Sequence, residues 1–135
     1  MATTSKETTS LIAIKLPSTR YSAWMARYYV RAALRDHDLG DYAADAAAVT
    51  SELVTNAIIH TGAEAIGLEL TCLEGATAVT IVVTDPCTRP PVMVAAGEDA
   101  EHGRGLQVVD ALSTRWGWTP QGTGKAVFAV LTQEG

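Results

Sequence analysis

Three side chains able to do chemistry recur at a four-residue spacing: Glu52, Asn56 and His60, within the run DAAAVTSELVTNAIIH (45–60). A four-residue step drifts only roughly 40° around a helix, so a carboxylate, an amide and an imidazole line one stripe. Asp45 falls on it too, within roughly 20° of Glu52. Leu53, Val54, Ala57, Ala47 and Ile58 lie on the opposite arc. The Asn56 amide oxygen is a hard ligand suited to Mg²⁺, an ion that takes few protein ligands and keeps waters and phosphates for the rest. A carboxylate one turn away can orient or deprotonate a nucleophile beside that ion. The pair also suits the water-facing side of an amphipathic helix, although Asn inside a helix costs up to about 0.7 kcal/mol against Ala. His60 ends the stripe where an imidazolium would meet the negative end of the helix dipole, which is favourable with or without a ligand.

Other candidates lie further along the chain. Asp85 follows the β-branched run TAVTIVVT (77–84). A carboxylate at a strand end can accept a hydrogen bond from a ligand's exocyclic amine, and Asp-Pro is equally an ordinary turn opener. Gly103, Arg104, Gly105 and Leu106 precede a helical stretch. Glycines there admit close backbone approach, a helix N-terminus offers unpaired N–H groups to phosphate, and Arg104 adds charge; a flexible helix entry explains the same residues. No GxxxxGK[ST] loop is present, which excludes P-loop chemistry, and no GxSxG supports a serine nucleophile. Arg20, Arg27, Arg31 and Arg35 fall within roughly 80° on one helix, a stripe that can dock an acidic partner or simply face water.

The elements that must position these groups are legible from periodicity. Residues 11–16 alternate and end at Pro17, a strand. Ser18 or Thr19 can cap a helix over 20–36; Gly40 breaks the pattern, and Asp41 can cap a second helix reaching Thr61, stopped by Gly62. Residues 65–73 and 77–84 read as a hairpin around Glu74-Gly75. The stretch 85–103 has no period. Helical spacing returns over 105–112, then strands at 114–118 and 125–132 flank a turn at 120–124. Strands joined by hairpins rather than crossovers predict an α+β fold: a two-layer sandwich with a mixed, mostly antiparallel sheet and its helices on one face.

The chain has 135 residues, 47% hydrophobic and 19% charged, enough for one core. We read residues 1–10 as a flexible Ser/Thr tail and 11–135 as one domain. The net charge is −5 and the sequence pI about 5.0, which argues against a nucleic-acid partner. No apolar run reaches membrane-spanning length and MATTSKETTS has no apolar core of a secretory signal, so the cytoplasm is the expected location. Cys72 and Cys87 lack metal-site spacing, and Cys72 alternates into a strand as a core residue.

The order of these pieces resembles the GHKL (histidine kinase-like) ATPase superfamily, and most closely its short anti-sigma-factor serine kinases. SELVTNAIIH (51–60) looks like the N box, VTDP (83–86) like the G1 box, HGRGLQVVDALSTRWG (102–117) like the G2 box and its sequel, and GTGKAVFAVL (122–131) like the closing strand. The resemblance implies a Bergerat-type ATP-binding fold with ATP and Mg²⁺ as cofactors. Glu52 would be the catalytic base and Asn56 the Mg²⁺ ligand. Asp85 would receive the adenine amine. His60, Arg89, Gly103, Arg104, Gly105 and Leu106 complete the implied binding set, with 86–102 as a lid over the nucleotide. It further implies a serine/threonine kinase acting on an anti-anti-sigma (STAS-type) partner, a sigma factor as second partner, and a homodimer. Three features depart from the pattern: Cys87 stands where glycine is usual, the closing strand has Ala126 near where Thr is common, and the lid is short, with Arg89 as its one Arg before Gly103 and no Lys. These departures keep a second function in view, a non-catalytic module that sequesters a transcription regulator.

Overall fold

Alternation along the strands decides which side chains meet the helices. The computed structural model describes residues 7–62, 64–73, 75, 77–87 and 105–133. In chain order the elements are β1 (Thr8–Pro17), α1 (Arg20–Asp36), α2 (Ala43–Thr61), β2 (Ala65–Leu73), β3 (Ala78–Asp85), α3 (Gly105–Leu112), β4 (Arg115–Gln121) and β5 (Gly124–Thr132). They form one five-stranded sheet in the order β1-β2-β3-β5-β4, and all four pairings are antiparallel. The α+β architecture expected from the hairpin connections is therefore present, and the mostly antiparallel sheet is antiparallel throughout.

In β3, Val79, Ile81, Val83 and Asp85 are buried while the residues between them are half-buried. The register sets these four directly across from Leu131, Ala129, Val127 and Lys125 of β5. Their aliphatic members join Ile66, Leu68 and Leu70 of β2 in the core under the helices. α2 packs between α1 and α3 and lies over β2, β3 and β5. Ala43, Ala46, Ala47 and Ala57 on its buried face are small enough to let the helix approach closely, and Ala is also the best helix former. α1 inserts Ala26, Val30 and Leu34, and α3 inserts Leu106 and Val109.

Local corrections concern helix and strand ends. Thr19 occupies the N-cap position of α1 in extended backbone, but its side chain makes no capping bond; the Ser22 hydroxyl instead donates to the Pro17 carbonyl. Asp41 does not cap α2. It lies in a 3-10 turn, Gly40–Tyr42, that runs straight into the helix, so no extended cap residue intervenes, and its carboxylate accepts a bond from Gln133 Nε2 at 3.3 Å. β1 begins at Thr8, so residues 8–10, expected in the tail, are strand paired with β2. β4 continues through Pro120 to Gln121, and the reversal is a two-residue loop with Gly122 at φ 58°, the first position of the hairpin turn that calls for glycine. Gly62 stops α2 in the left-handed region at φ 65°, as expected.

Candidate functional site

α2 carries Glu52, Asn56 and His60 half-buried along one side, while Asp45 at its start is exposed. Apolar packing on the other side of the helix fixes this orientation, since Val49, Leu53, Val54 and Ala57 are all in the core. Neither the Glu52 carboxylate nor the Asn56 amide has a hydrogen-bond partner among the described residues. Partial burial pushes the Glu52 carboxyl above its ordinary range, and the positive charge of Arg27 on α1 pulls it part of the way back. A base whose affinity for protons is raised toward working pH is better matched to abstracting one.

Asp85 ends β3 on the same side of the sheet. Its Oδ1 accepts the Cys87 backbone N–H at 2.8 Å, an Asx turn, so the turn-opening role read from the sequence is real. Oδ1 also accepts from Lys125 Nζ at 3.1 Å, in an ion pair whose side chains are 1% and 4% exposed for Asp85 and Lys125. Lys125 Nζ donates in addition to the Cys87 carbonyl at 3.3 Å. Oδ2 is buried and has no partner. One oxygen of Asp85 thus makes the turn and the ion pair, and the other is a buried acceptor with no donor. An orphan of that kind costs about 1–3 kcal/mol unless a ligand meets it, and an exocyclic amine is a group that would.

Lys125 is the residue that sequence reasoning missed. Its signal was available: in KAVFAVLT the period-2 phase of Val127, Ala129 and Leu131 includes Lys125, a lysine on the core-facing phase. Ala126, singled out from the closing strand, pairs with Thr84 on the opposite phase and does not share Asp85's face. Gly124 explains how the strands close up here, because a Cβ on it would lie 2.0 Å from the Asp85 carbonyl oxygen. A cleft of about 340 Å³ opens at this end of the sheet, with Lys15, Gly67, Thr84 and Gln121 in its lining. Asp85, Gly124 and Lys125 line it as well, and Gly67 and Thr84 alternate to the helix-free face, so the cleft reaches the pair from that side.

α3 opens at Gly105, and the helix's first N–H groups have no intrahelical acceptors. Leu106 sends its side chain into the core, which leaves only its backbone for a ligand. Arg89, Gly103 and Arg104, and the lid expected over 86–102 beyond Cys87, lie outside the described residues. The helix with Glu52 and Asn56, the strand ending at Asp85 and the helix beginning at Gly105 are neighbours, since α2 contacts both β3 and α3.

A family model described as histidine kinase-like ATPase domain matches residues 16–130, which takes in all three elements. The chain belongs to this family. No curated protein matches it at a significant level. As a histidine kinase-like ATPase domain the chain is an ATP-binding domain, and the orphan Oδ2 of Asp85 fits the amine of its base. Among the described residues no cluster of three or more His, Cys, Asp or Glu could hold a metal ion. The Asn56 amide oxygen is of the hard type that Mg²⁺ accepts, and it would hold such an ion with water and phosphate oxygens completing the shell. Among the same residues no helix is long and apolar enough to cross a membrane.

Proposed function

We propose that this ATPase domain is a serine/threonine protein kinase that doubles as an anti-sigma factor, with an anti-anti-sigma (STAS-type) protein as substrate and a sigma factor as the alternative partner. The observation that carries the reading is the Glu52–Asn56 pair, one turn apart, half-buried, without a hydrogen-bond partner among the described residues and held by a rigid helix. Phosphoryl transfer asks a protein mainly for positioning and charge neutralisation. Asn56 would hold the magnesium ion, whose charge offsets that of the phosphates. Glu52 would accept the proton of the attacking seryl hydroxyl as its oxygen bonds to the γ-phosphorus and the bond to ADP breaks. The backbone at Gly105 and Leu106 would face the phosphates from the start of α3.

The exposed face of α1 supports a protein partner. Tyr21, Trp24 and Tyr28 are 70%, 64% and 65% exposed at i, i+3 and i+7, with exposed Arg20, Arg31 and Arg35 beside them. Exposed aromatics interleaved with arginines have the composition of interaction hot spots. Arg27 at the edge of this face is the residue whose charge reaches Glu52, which ties the face to the candidate base.

Incubation with Mg-ATP and a STAS-domain partner should yield a phosphoserine on the partner, read by mass spectrometry. A yield no higher than that of Glu52→Ala would overturn the kinase assignment. A second reading, a non-catalytic module that sequesters a regulator, is favoured by Cys87. This half-buried side chain stands in the segment after Asp85, whose backbone is tied to Asp85 and Lys125. On that reading Asn56→Ala leaves partner binding unchanged and no phosphate is transferred.

A further inference from the structure

We propose that Lys125 reads the base edge of the nucleotide together with Asp85, donating to adenine N1 while Asp85 Oδ2 accepts from the N6 amine. The assignment rests on the ATP-binding reading and adds to it a specificity-determining residue.

An ammonium has three N–H donors and no acceptor. Asp85 Oδ1 and the Cys87 carbonyl take two of those on Lys125, at 3.1 and 3.3 Å, and no described residue accepts the third. The neighbouring Oδ2 lacks a donor. The pair therefore presents one unmet donor beside one unmet acceptor, on side chains 4% and 1% exposed. Water does not freely satisfy groups so deeply withdrawn, and each left unpaired is costly. The complementary ligand edge offers an acceptor and a donor side by side, one carbon apart, on a planar group. Adenine N1 and N6–H form such an edge.

The arrangement is also fixed in place. Lys125 sits opposite Asp85 in the β3–β5 register, and Gly124 brings the two backbones to a distance no other residue would allow. The Cys87 carbonyl holds the ammonium from a second side, so its remaining N–H is restricted in direction. A Thr or Ala at position 125 could not reach across in this way. The lysine thus supplies a charged donor at the base, where it acts on recognition rather than on the phosphates.

The test is calorimetric titration of the full chain with Mg-ATP, with 1-deaza-ATP (C–H in place of N1) and with purine riboside triphosphate (no amine). For the natural protein, both analogues should bind about ten- to a hundredfold more weakly than ATP, because each leaves one buried polar group unmet. Lys125→Met should abolish the difference between ATP and 1-deaza-ATP and retain the amine penalty, a separation that a merely structural role for Lys125 would not produce. If that variant loses its fold by circular dichroism, Asp85→Asn/Lys125→Met removes both charges together, and the N1 penalty should be absent there. Equal affinity of ATP and 1-deaza-ATP for the natural protein, or an N1 penalty that survives either substitution in a folded variant, overturns the assignment alone. Failure of the natural protein to bind any of the three overturns the ATP-binding reading and this assignment with it.

Discussion

Gly124→Ala is the sharpest test of how the sheet holds the site. The new Cβ would lie 2.0 Å from the Asp85 carbonyl oxygen, 2.6 Å from Pro86 Cα and 2.8 Å from the Asp85 carbonyl carbon. All three obstacles are backbone, so no side chain can rotate away. Reaching ordinary contact at 3.4 Å requires the strands to part by about 1.4 Å at this point. An opening of that size stretches the 3.1 Å bond between Lys125 Nζ and Asp85 Oδ1. Overpacking alone costs about 1–3 kcal/mol, and a fully broken buried ion pair about 3–5 kcal/mol. The lysine arm can follow part of the movement, so the sum expected is about 2–5 kcal/mol. That corresponds to a Tm lower by about 6–20 °C in a chain of this size. Thermal and urea unfolding followed by circular dichroism measure it. Gly67→Ala is the control: its Cβ would meet only the Thr84 side chain, at 2.3 Å from Oγ1. Adding Thr84→Ala should therefore restore most of the loss at Gly67 and none of that at Gly124. A Gly124→Ala protein within about 0.5 kcal/mol of the natural one would refute the steric argument and, with it, the close apposition of Asp85 and Lys125.

Other substitutions probe the helix and its end. Burial raises the Glu52 carboxyl, so the folded state holds its proton more tightly than the unfolded chain, and stability falls as pH rises through that raised range. Glu52→Gln should accordingly raise the Tm at neutral pH, with the gain vanishing on acidification below the carboxylate range, while phosphoryl transfer is lost. Asn56→Ala should leave the fold intact, helped by up to about 0.7 kcal/mol of helix propensity. Its magnesium-dependent gain in nucleotide affinity should disappear in titrations with and without the ion. Gly62→Ala, at φ 65°, should cost about 1 kcal/mol in urea unfolding without altering nucleotide affinity. Leu106→Ala empties a core position under α2 and should cost about 2–5 kcal/mol by the same assay.

Local signals carried most of the fold. α1, β2 and α3 begin and end where periodicity, Pro17 and the 73–75 turn place them, because those cues act within a few residues. The start of α2 was less legible: a 3-10 turn that continues into a helix leaves no extended cap residue for Asp41 to occupy. At the site, spacing alone put Glu52, Asn56 and His60 on one side of a helix. It could not supply the register that sets Asp85 against Lys125, forty residues apart in sequence. That pairing is a property of the β3–β5 ladder, and only the core-facing phase of a lysine hinted at it. Arg27 escaped individual notice for the same reason, since its influence on Glu52 comes from α1 packing on α2.

The two margins of the sheet are unequal. β4, on one outer side, contains Pro120, which has no N–H to offer an incoming strand. β1, on the other, runs ten residues from Thr8 to Pro17, with an irregularity between Ser10 and Ile12 and with exposed Lys15 and Pro17 near its end. Both outer strands thus carry a proline near one end, and β1 adds a charged side chain. Exposed lysine and proline are the residues that discourage a second chain from zipping onto such a border, and replacing Lys15 by an apolar side chain would take one of those guards away.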